Sequence, residues 1–516
     1  MNTPKRTPRP APAAPLLTLA LLLSAPAASA ATPPGGTLTV AISAAPASLD
    51  PSSGEASNEY YYTPAYDSLI KFDYDAKYKP GLATAWSWVG KDFKVLDLTL
   101  RPGVKFSDGS TFDAKAVKSW LDLQMKNKSP VAVNLGTKSV QVTGPLKVRL
   151  TMTDPNPLAL LFLSRTWLSG VIPCPKASAN PALLKAATCG TGPYVLDAKQ
   201  TVTGDTYTYV PNPNYWDPAK VQWNKLVLKV VTNPQAALDA VRAGQAQVAW
   251  PAQASLIQSA VGAGLKSAGV PQNILGLDFL DKSGKIVPAL KDVRVRQALN
   301  YALDRKALAT ALGGGQGDPI STQFLKGADG YDASLDNAYP YDVAKAKQLL
   351  TAAGYPQGFE LTILSTPIAG LDTLVQAIVG YWQAIGVKAK IDNKTQGSDF
   401  FAGLTSGKYA VSAAALGATN PTLLAWNCCF HPGAVWNPDK TPVPQFEALI
   451  DKLRVTDPSK AAPIAKQINS FMTKNAWFVP VYSGKLNYVY DPKKVTLATP
   501  SGAQPVIDIL DVRPVK

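Results

Sequence analysis

The spacing of apolar residues predicts strands in the first third of the chain. Residues 37–42 are apolar or β-branched and predict one strand. Between residues 93 and 152, apolar and polar positions mostly alternate, which is typical of half-buried strands. One helix is expected to interrupt this region, because Asp113 is a good N-cap and the apolar residues that follow it recur at helical spacing.

Helical spacing becomes dominant in the second half of the chain. The apolar positions of 371–385 form the clearest amphipathic helix, and Gly386 predicts its end. Residues 387–391 predict the strand that follows this helix. Because helices and strands alternate over 290–410, we expect an α/β fold in this region.

The first thirty residues have the pattern of a cleavable signal peptide. Lys5, Arg6 and Arg9 form a basic start, an apolar run covers 16–23, and small residues follow. This run is shorter than the roughly 20 residues that cross a bilayer, and no later segment is long and apolar enough to do so. We therefore expect export to the periplasm or cell envelope, with residues 1–30 removed, no lipid-anchor cysteine and no membrane span afterwards.

Composition and charge favour a globular protein that does not bind nucleic acid. The length predicts two or three domains, and 46% hydrophobic residues are enough for sizeable cores. The net charge is +15 at pH 7, and removing the three basic residues of the signal peptide lowers it to +12. Because the basic residues are scattered along the chain, they predict a solvated basic surface.

All four cysteines follow the signal peptide, so they would reach a compartment where disulfides persist. Cys174 and Cys189 enclose a short segment rich in proline and alanine, and we expect them to be bonded. Closing a loop of that size adds roughly 3 kcal/mol in the chain-entropy model. Cys428 and Cys429 are adjacent, so they either close a strained ring or remain as two buried thiols.

The residues that catalysis and metal binding need are scarce. His431 is the only histidine, which excludes a histidine-rich metal site and leaves a single candidate base for a catalytic triad. We expect neither a metal nor a cofactor. His431 is a weak candidate for contact with a chelated metal, and a structural role before Pro432 is the alternative. Hydrolase motifs are absent, and the glycine-rich segment 313–317 lacks the Lys-Ser/Thr of a phosphate loop, so we expect no enzymatic activity.

Short segments spread along the chain carry the motifs of one protein family. In chain order they are GTLTVAISAAPASLDP (36–51), YDSLIKFD (66–73), YKPGLATAWSW (78–88), LTLRPGVKFSDGSTFDAKAVKSW (98–120), GTGPYVL (190–196), NPNYWD (212–217), GQAQV (244–248), LKDVRVRQALNYALDRKAL (290–308) and AKAKQLLTAAGYPQGFEL (344–361). The series resembles the peptide/nickel family of bacterial extracellular solute-binding proteins, which includes dipeptide- and oligopeptide-binding proteins. Each motif is weak alone, and their shared order makes the resemblance specific.

The resemblance implies an α/β protein with the bilobed periplasmic-binding-protein fold, an extra inserted domain and a ligand cleft between the lobes. Mapped in order, lobe one comprises 31–70, 190–280 and 486–516. The inserted domain covers 71–189, and lobe two covers 281–485. The resemblance also implies a substrate-binding subunit of an ABC importer, which captures a small peptide-like or other polar solute by hinge closure.

Partners and competing functions follow from the same resemblance. The expected partners are a small-molecule ligand and an ABC permease and ATPase complex, with the protein itself a monomer. An exported hydrolase is one alternative, and an envelope chaperone or sensory ligand-presenting protein on the same fold is another. Adjacent permease and ATPase genes would favour the importer.

The first candidate ligand contacts lie after a Leu-Asp-Pro motif. In oligopeptide-binding relatives this stretch contacts the ligand, and it includes a glutamate four residues beyond the proline. Glu55 occupies that position, with Ser57 and Asn58 beside it. Tyr60 could place its ring against a ligand. The alternatives are an exposed loop glutamate and a tyrosine that faces the core.

The second candidate stretch departs from the family pattern. Peptide-binding relatives carry an aspartate in the stretch corresponding to 413–421, where it pairs with the peptide's ammonium, but this chain has no acid there. Because burying an unpaired ammonium is costly, we expect a ligand other than a simple peptide with a free α-amine. Thr419 and Asn420 suit a neutral ligand with hydroxyl or amide groups. Trp426 and Trp436 either stack on the ligand or pack in the core.

Overall fold

Among the residues that the structure describes, the strands form one large sheet and three smaller ones. The computed structural model describes Met1 and residues 35–46, 48–53, 59–417, 436–502 and 504–515. The strands in these ranges are β1 (Gly35–Ile42), β2 (Ile70–Phe72), β3 (Tyr78–Pro80), β4 (Ala83–Trp88), β5 (Val95–Leu100), β6 (Thr137–Gly144), β7 (Lys147–Met152), β8 (Tyr194–Leu196), β9 (Thr206–Pro211), β10 (Trp223–Val230), β11 (Val248–Ala252), β12 (Lys266–Phe279), β13 (Glu360–Ser365), β14 (Lys388–Asn393), β15 (Val411–Gly417), β16 (Phe478–Tyr490), β17 (Val495–Leu497) and β18 (Val512–Pro514).

Helices pack against strands of the large sheet in the part of the chain that the structure describes. In the described ranges they are α1 (Glu59–Tyr62), α2 (Ala114–Asn127), α3 (Pro130–Leu135), α4 (Ala159–Phe162), α5 (Pro175–Ala179), α6 (Pro234–Arg242), α7 (Ile257–Gly262), α8 (Val293–Tyr301), α9 (Arg305–Leu312), α10 (Val343–Ala352), α11 (Leu371–Gln383), α12 (Gly397–Thr405), α13 (Pro444–Arg454) and α14 (Ala462–Lys474). Among these helices, none has an apolar stretch long enough to cross a bilayer.

The large sheet consists of two halves, each with three parallel strands, that are joined by two long strands. Its ten strands follow the order β14-β13-β15-β12-β16-β11-β1-β10-β9-β8. We call β1 and β8 to β11 the first half-sheet, in which β1 is parallel to both β10 and β11. We call β13 to β15 the second half-sheet, in which β13 is parallel to both of its neighbours. The connecting strands β12 and β16 lie between the two halves.

The connecting strands run from one half-sheet into the other. They pair antiparallel over nearly their whole length, from Lys266 opposite Tyr490 to Asp278 opposite Phe478. Near one end β16 pairs with β11, and near the other end β12 pairs with β15. A register shift follows Pro271, close to the point where β12 begins to pair with β15. Two strands therefore join the halves while each half keeps its own helices.

A separate antiparallel sheet, in the order β4-β5-β7-β6, lies within the chain segment between β1 and β8. Helix α2 packs on it and buries Val117 and Trp120. Cys174 and Cys189 are bonded, with their Cα atoms 5.5 Å apart, which confirms the predicted disulfide. The bond closes the loop that holds α5 beside α2.

The largest apolar clusters each belong to one sheet. One lies around the first half-sheet and includes Leu38, Val40 and Leu226. A second fills the space between the four-stranded sheet and α2. A third lies between the second half-sheet and helices α8 to α11, with Trp382 fully buried.

Several local predictions are confirmed. A strand begins the fold at residues 35–42, and the Asp113 carboxylate caps α2 by accepting bonds from the backbone N–H groups of Lys115 and Ala116. The amphipathic pattern of 371–385 is α11, and Gly386 after it has a φ of 86°. Glycine adopts such a left-handed conformation without steric cost.

The prediction of a single helix between residues 93 and 152 is wrong, because α3 follows α2 there. Lys128 ends α2 in the left-handed conformation. The Ser129 side chain then caps a new helix whose first residue is Pro130, a position where the missing N–H costs nothing.

Candidate functional site

The carboxyl ends of the parallel strands in the first half-sheet point toward the second half-sheet. Along β11, Val248 lies opposite Tyr490, and Ala252 lies opposite Asn487. The carboxyl end of β11 therefore points along β16 toward Phe478. Phe478 pairs with Asp278, in the part of β12 that also pairs with β15 of the second half-sheet. Strand β1 is parallel to β11, and β10 is parallel to β1. All three strands therefore end at the same edge of the sheet.

The second half-sheet has the opposite direction. Along β15, Val411 lies opposite Phe279, and Gly417 lies opposite Asn273, which is nearer to the first half-sheet. Strands β13 and β14 run parallel to β15 and share its carboxyl edge. The two carboxyl edges thus face each other across the connecting strands. Since ligands of open α/β sheets bind outside the carboxyl ends of strands, the space between these edges is the candidate ligand cleft.

Three aromatic side chains, which we call the aromatic wall, support the edge of the first half-sheet. The Trp250 ring, near the carboxyl end of β11, lies 4.4 Å from the Tyr60 ring and 6.1 Å from the Tyr488 ring between ring centroids. All three side chains are buried. Burial raises the pKa of Tyr60 well above its usual range, so its phenol stays neutral. The wall is made from buried side chains of α1, β11 and β16.

The indole of Trp250 also has an unused hydrogen-bond donor. Its Nε1 is buried, and no acceptor from the described residues contacts it. Leaving a buried donor unsatisfied costs about 1–3 kcal/mol, so such groups usually have a partner in the working state of a protein. A carbonyl, carboxylate or hydroxyl oxygen of a ligand would supply that partner.

The edge of the second half-sheet is lined by small polar residues. Ser365 and Thr366 lie at the carboxyl end of β13, and both are buried. The Oγ of Ser365 has no hydrogen-bond partner within the described ranges. On the neighbouring strands, Asn273 faces Gly417 across the β12–β15 pair. This edge offers hydroxyl and amide groups, which suit a polar ligand.

Trp436 is held by other aromatic residues of the second half of the molecule. It is half-buried, and its ring centroid lies 6.2 Å from that of Phe400 and 6.3 Å from that of Phe401, both on α12. It also packs against the cluster that contains Phe446. These contacts agree with the alternative in which Trp436 packs in the core. Stacking of Trp436 on a ligand stays a prediction.

Most of the other site residues expected from the sequence lie outside the described residues, and their roles stay predictions. They are Glu55, Ser57, Asn58, Thr419, Asn420, Trp426 and the weak metal candidate His431. Cys428 and Cys429 lie outside as well. Tyr60 is the one that the structure places beside the cleft edge, in the aromatic wall, and its two tyrosine neighbours are buried with it.

Sequence reasoning missed Trp250, Tyr488 and Asn273. The family motif at 244–248 ends two residues before Trp250. The signal that could have indicated Trp250 was an aromatic residue followed by a proline directly after this motif. Tyr488 and Asn273 have no local signal. They lie on the connecting strands, and their positions depend on how these strands pair.

The fold and the family are identified by comparison with known proteins. The fold is that of the bilobed periplasmic binding proteins, with a ligand cleft between the lobes. Residues 77–426 match the model of the bacterial extracellular solute-binding proteins, family 5 Middle. The chain belongs to this family.

Similar sequences and structures agree with this assignment. The glutathione-binding protein GsiB of Salmonella paratyphi A is 30% identical over 344 residues, and that of Escherichia coli K12 is 27% identical over 338 residues. Each alignment spans 63% of this chain and 63% of the relative, so it leaves more than a third of both uncovered.

Solved structures match over a larger part of the chain. NikA from Brucella suis in complex with Fe(III)-EDTA has a TM-score of 0.80 at 21% identity, covering 93% of this chain and 100% of that one. DppA from Helicobacter pylori in complex with the peptide STSA has a TM-score of 0.77 at 22% identity, covering 94% and 99%. At these identities the likeness shows the fold alone.

Proposed function

We propose that the chain is the substrate-binding subunit of an ABC importer, exported by its signal peptide and working with a permease and an ATPase. It would capture a small polar solute by closing its two lobes. The observation that supports this most is the pair of facing carboxyl edges joined by β12 and β16. Two connecting strands allow a bend between rigid halves, which is the usual basis of hinge closure.

We further propose the lobe boundaries expected from the sequence: lobe one as 31–70, 190–280 and 486–516, the inserted domain as 71–189, and lobe two as 281–485. The separate apolar clusters support this division, because each is built almost entirely from one of these sets. Rigid units with their own cores can move relative to each other without exposing apolar surface.

The ligand that we propose carries at least one acceptor oxygen. The unused Nε1 of Trp250 would donate a hydrogen bond to that oxygen. The polar edge formed by Ser365 and Thr366 would face the other groups of the ligand. Relatives named for glutathione and structures with a peptide or a metal chelate mark the range of solutes that this family holds. The absence of an acid from 413–421 favours a ligand without a free α-amine.

A thermal-shift screen tests this proposal. Glutathione, dipeptides, N-acetylated dipeptides, sugars, amides and nickel or iron chelates would be compared. A true ligand should stabilise the fold by about 2.7 kcal/mol at a hundredfold excess over Kd and should decrease the radius of gyration in small-angle scattering as the lobes close. Stabilisation by free dipeptides alone would contradict the α-amine prediction. Stabilisation without closure would contradict the hinge mechanism.

The role of Trp250 is tested by Trp250→Phe, which keeps the ring and removes the donor. Loss of one hydrogen bond should weaken binding of the ligand found in the screen about tenfold by titration calorimetry. Trp382→Phe is the matched control, because the Nε1 of Trp382 donates to the Leu299 carbonyl at 3.0 Å in the core behind the second half-sheet. It should lower stability and leave affinity unchanged. Equal losses of affinity in both variants would show that Trp250 does not bind the ligand.

A further inference from the structure

A second cavity lies away from the candidate cleft. It has a volume of about 570 Å³, within the range of small-molecule sites, and we call it the rear cavity. Its walls are the segment 63–74, the residues after α4, the segment before β10 and the C-terminal segment, and none of its lining residues lies in 281–485. Gln222 lines it just before the amino end of β10, at the edge opposite to the cleft. Closure of the lobes is therefore not needed to form it.

Buried hydrogen bonds fix the walls of the rear cavity. The Tyr74 hydroxyl accepts a bond from the Asp508 N–H at 3.0 Å and donates to the Asp511 carboxylate at 3.0 Å. The guanidinium of Arg165 pairs with the carboxylates of Glu59 and Asp508. These contacts join three distant segments of the chain, so the polar groups of the cavity are held before any ligand arrives.

Two oppositely charged groups on these walls have unused binding capacity. Asp67 is 7% exposed, and one of its oxygens accepts a bond from Trp216 Nε1 at 2.7 Å. Within the described ranges no donor contacts its other oxygen. The ammonium of Lys71, which lies on β2, forms no hydrogen bond or salt bridge with the described residues, although its charge lowers the pKa of Asp67. Burial raises the pKa of Asp67 to about 6, which leaves the carboxyl group mostly ionised at pH 7.

The lining as a whole is balanced in charge and partly aromatic. Its carboxylates are Asp67, Asp73, Asp508 and Asp511, its cations are Lys71, Arg165, Lys220 and Arg513, and its rings are Tyr66, Phe72 and Tyr74. A simple anion would leave Asp67 unpaired, and a simple cation would leave Lys71 unpaired. A molecule that carries both charges satisfies both groups, and its apolar part can lie against the rings.

We propose that the rear cavity is a second binding site for a small zwitterion of the α-amino acid type. Its ammonium binds the free oxygen of Asp67, and its carboxylate binds Lys71. The site is separate from the cleft, so its occupant binds whether the lobes are open or closed.

The test is calorimetric titration of the full chain with three probes: L-alanine, propionate without the ammonium, and ethylamine without the carboxylate. L-Alanine should bind at least about tenfold more tightly than either, because each single-charge probe loses a charge-assisted bond. Asp67→Asn and Lys71→Gln should each weaken alanine binding by about tenfold or more. Circular dichroism would show that both variants keep the fold.

The matched control is Lys77→Gln, an exposed lysine in the turn between β2 and β3, which should leave alanine binding unchanged. Three results would overturn the proposal. They are the absence of saturable alanine binding, equal affinity for all three probes, and alanine binding that survives both cavity variants. If Trp250→Phe abolishes alanine binding while the cavity variants do not, alanine occupies the cleft and the rear cavity is a solvent space.

Discussion

Around the first half-sheet, a half-buried arginine pairs with two carboxylates, whereas around the second half-sheet buried arginines bind backbone carbonyls. Arg165 lies between Glu59 and Asp508, with its Nε 3.1 Å from the Glu59 carboxylate. Burial raises the pKa of Glu59, although Arg165 opposes this effect. The three residues come from α1, the segment after α4 and the C-terminal segment, so the network joins parts far apart in sequence.

Around the second half-sheet, two buried arginines donate to backbone carbonyl oxygens instead. Arg305 donates to the carbonyl oxygens of Pro480, Asn300 and Tyr339 at 2.7–3.0 Å. Arg296 donates to the carbonyls of Leu290, Lys291 and Asn475. Neither guanidinium forms a salt bridge within the described residues, and burial lowers the pKa of both groups to about 10, which still leaves them charged at pH 7.

The difference has a thermodynamic consequence. Burial raises the pKa of Glu59, and Arg165 lowers the pKa of Asp508 although burial opposes this, so the charge of the network depends on pH, while an arginine bonded to carbonyls keeps its charge. We therefore expect the first region to respond to pH and to charge removal more strongly than the second. The network that joins α1, the segment after α4 and the C-terminal segment is therefore the region whose contribution to stability should depend on pH.

The largest expected effect is that of Arg165→Met. Removing the cation leaves the buried Glu59 and the half-buried Asp508 without compensation, which should lower the free energy of unfolding by about 3–5 kcal/mol in urea denaturation. Arg149→Met is the control, because the pair of Arg149 with Asp97 is exposed and contributes about 0–1 kcal/mol. Equal stability of the two variants would show that the buried network contributes no more than a surface pair.

The next effect is a pH dependence that Asp67 contributes. Its pKa rises from about 3.9 in the unfolded chain to about 6 in the fold, chiefly because of burial. Its stabilising contribution is therefore complete below pH 4 and is lost as pH rises through 6. Between pH 4 and pH 7, the free energy of unfolding of Asp67→Asn should rise by about 2–3 kcal/mol relative to that of the unmodified protein in parallel urea titrations.

The control for this experiment is Asp97→Asn. Arg149 lowers the pKa of Asp97 through a direct hydrogen bond, so the contribution of Asp97 is lost as pH falls, which is the opposite sign. If both variants shifted in the same direction with pH, burial of Asp67 would not be the cause.

The smallest effect is expected for Arg305→Met. The variant leaves buried carbonyls without their donor but also removes a buried charge, so we expect a loss of about 2 kcal/mol. The loss should stay constant between pH 4 and pH 8, since no carboxylate takes part. Arg294→Met, which removes an exposed pair with Asp292, should change stability less. A loss that varied strongly with pH would contradict the distinction between the two regions.

Local features of the chain could be predicted from the sequence because neighbouring residues determine them. The Asp113 cap, the apolar stripe that became α11, and the Cys174–Cys189 bond depend on spacing within about twenty residues. The order of family motifs then predicted the bilobed fold and the family. The second helix α3 was missed although its Ser129-Pro130 signal is local.

The aromatic wall, the Arg165 network and the rear cavity were decided by the tertiary structure alone. Trp250 meets Tyr488 only because β16 returns to pair with β11, and Glu59 and Asp508 share Arg165 only because the C-terminal segment packs against α1. Periodicity reports whether a residue faces the core, and it does not report which distant residue it meets there. The sequence determined the elements and the family, while the pairing of distant strands determined which polar groups share a buried space.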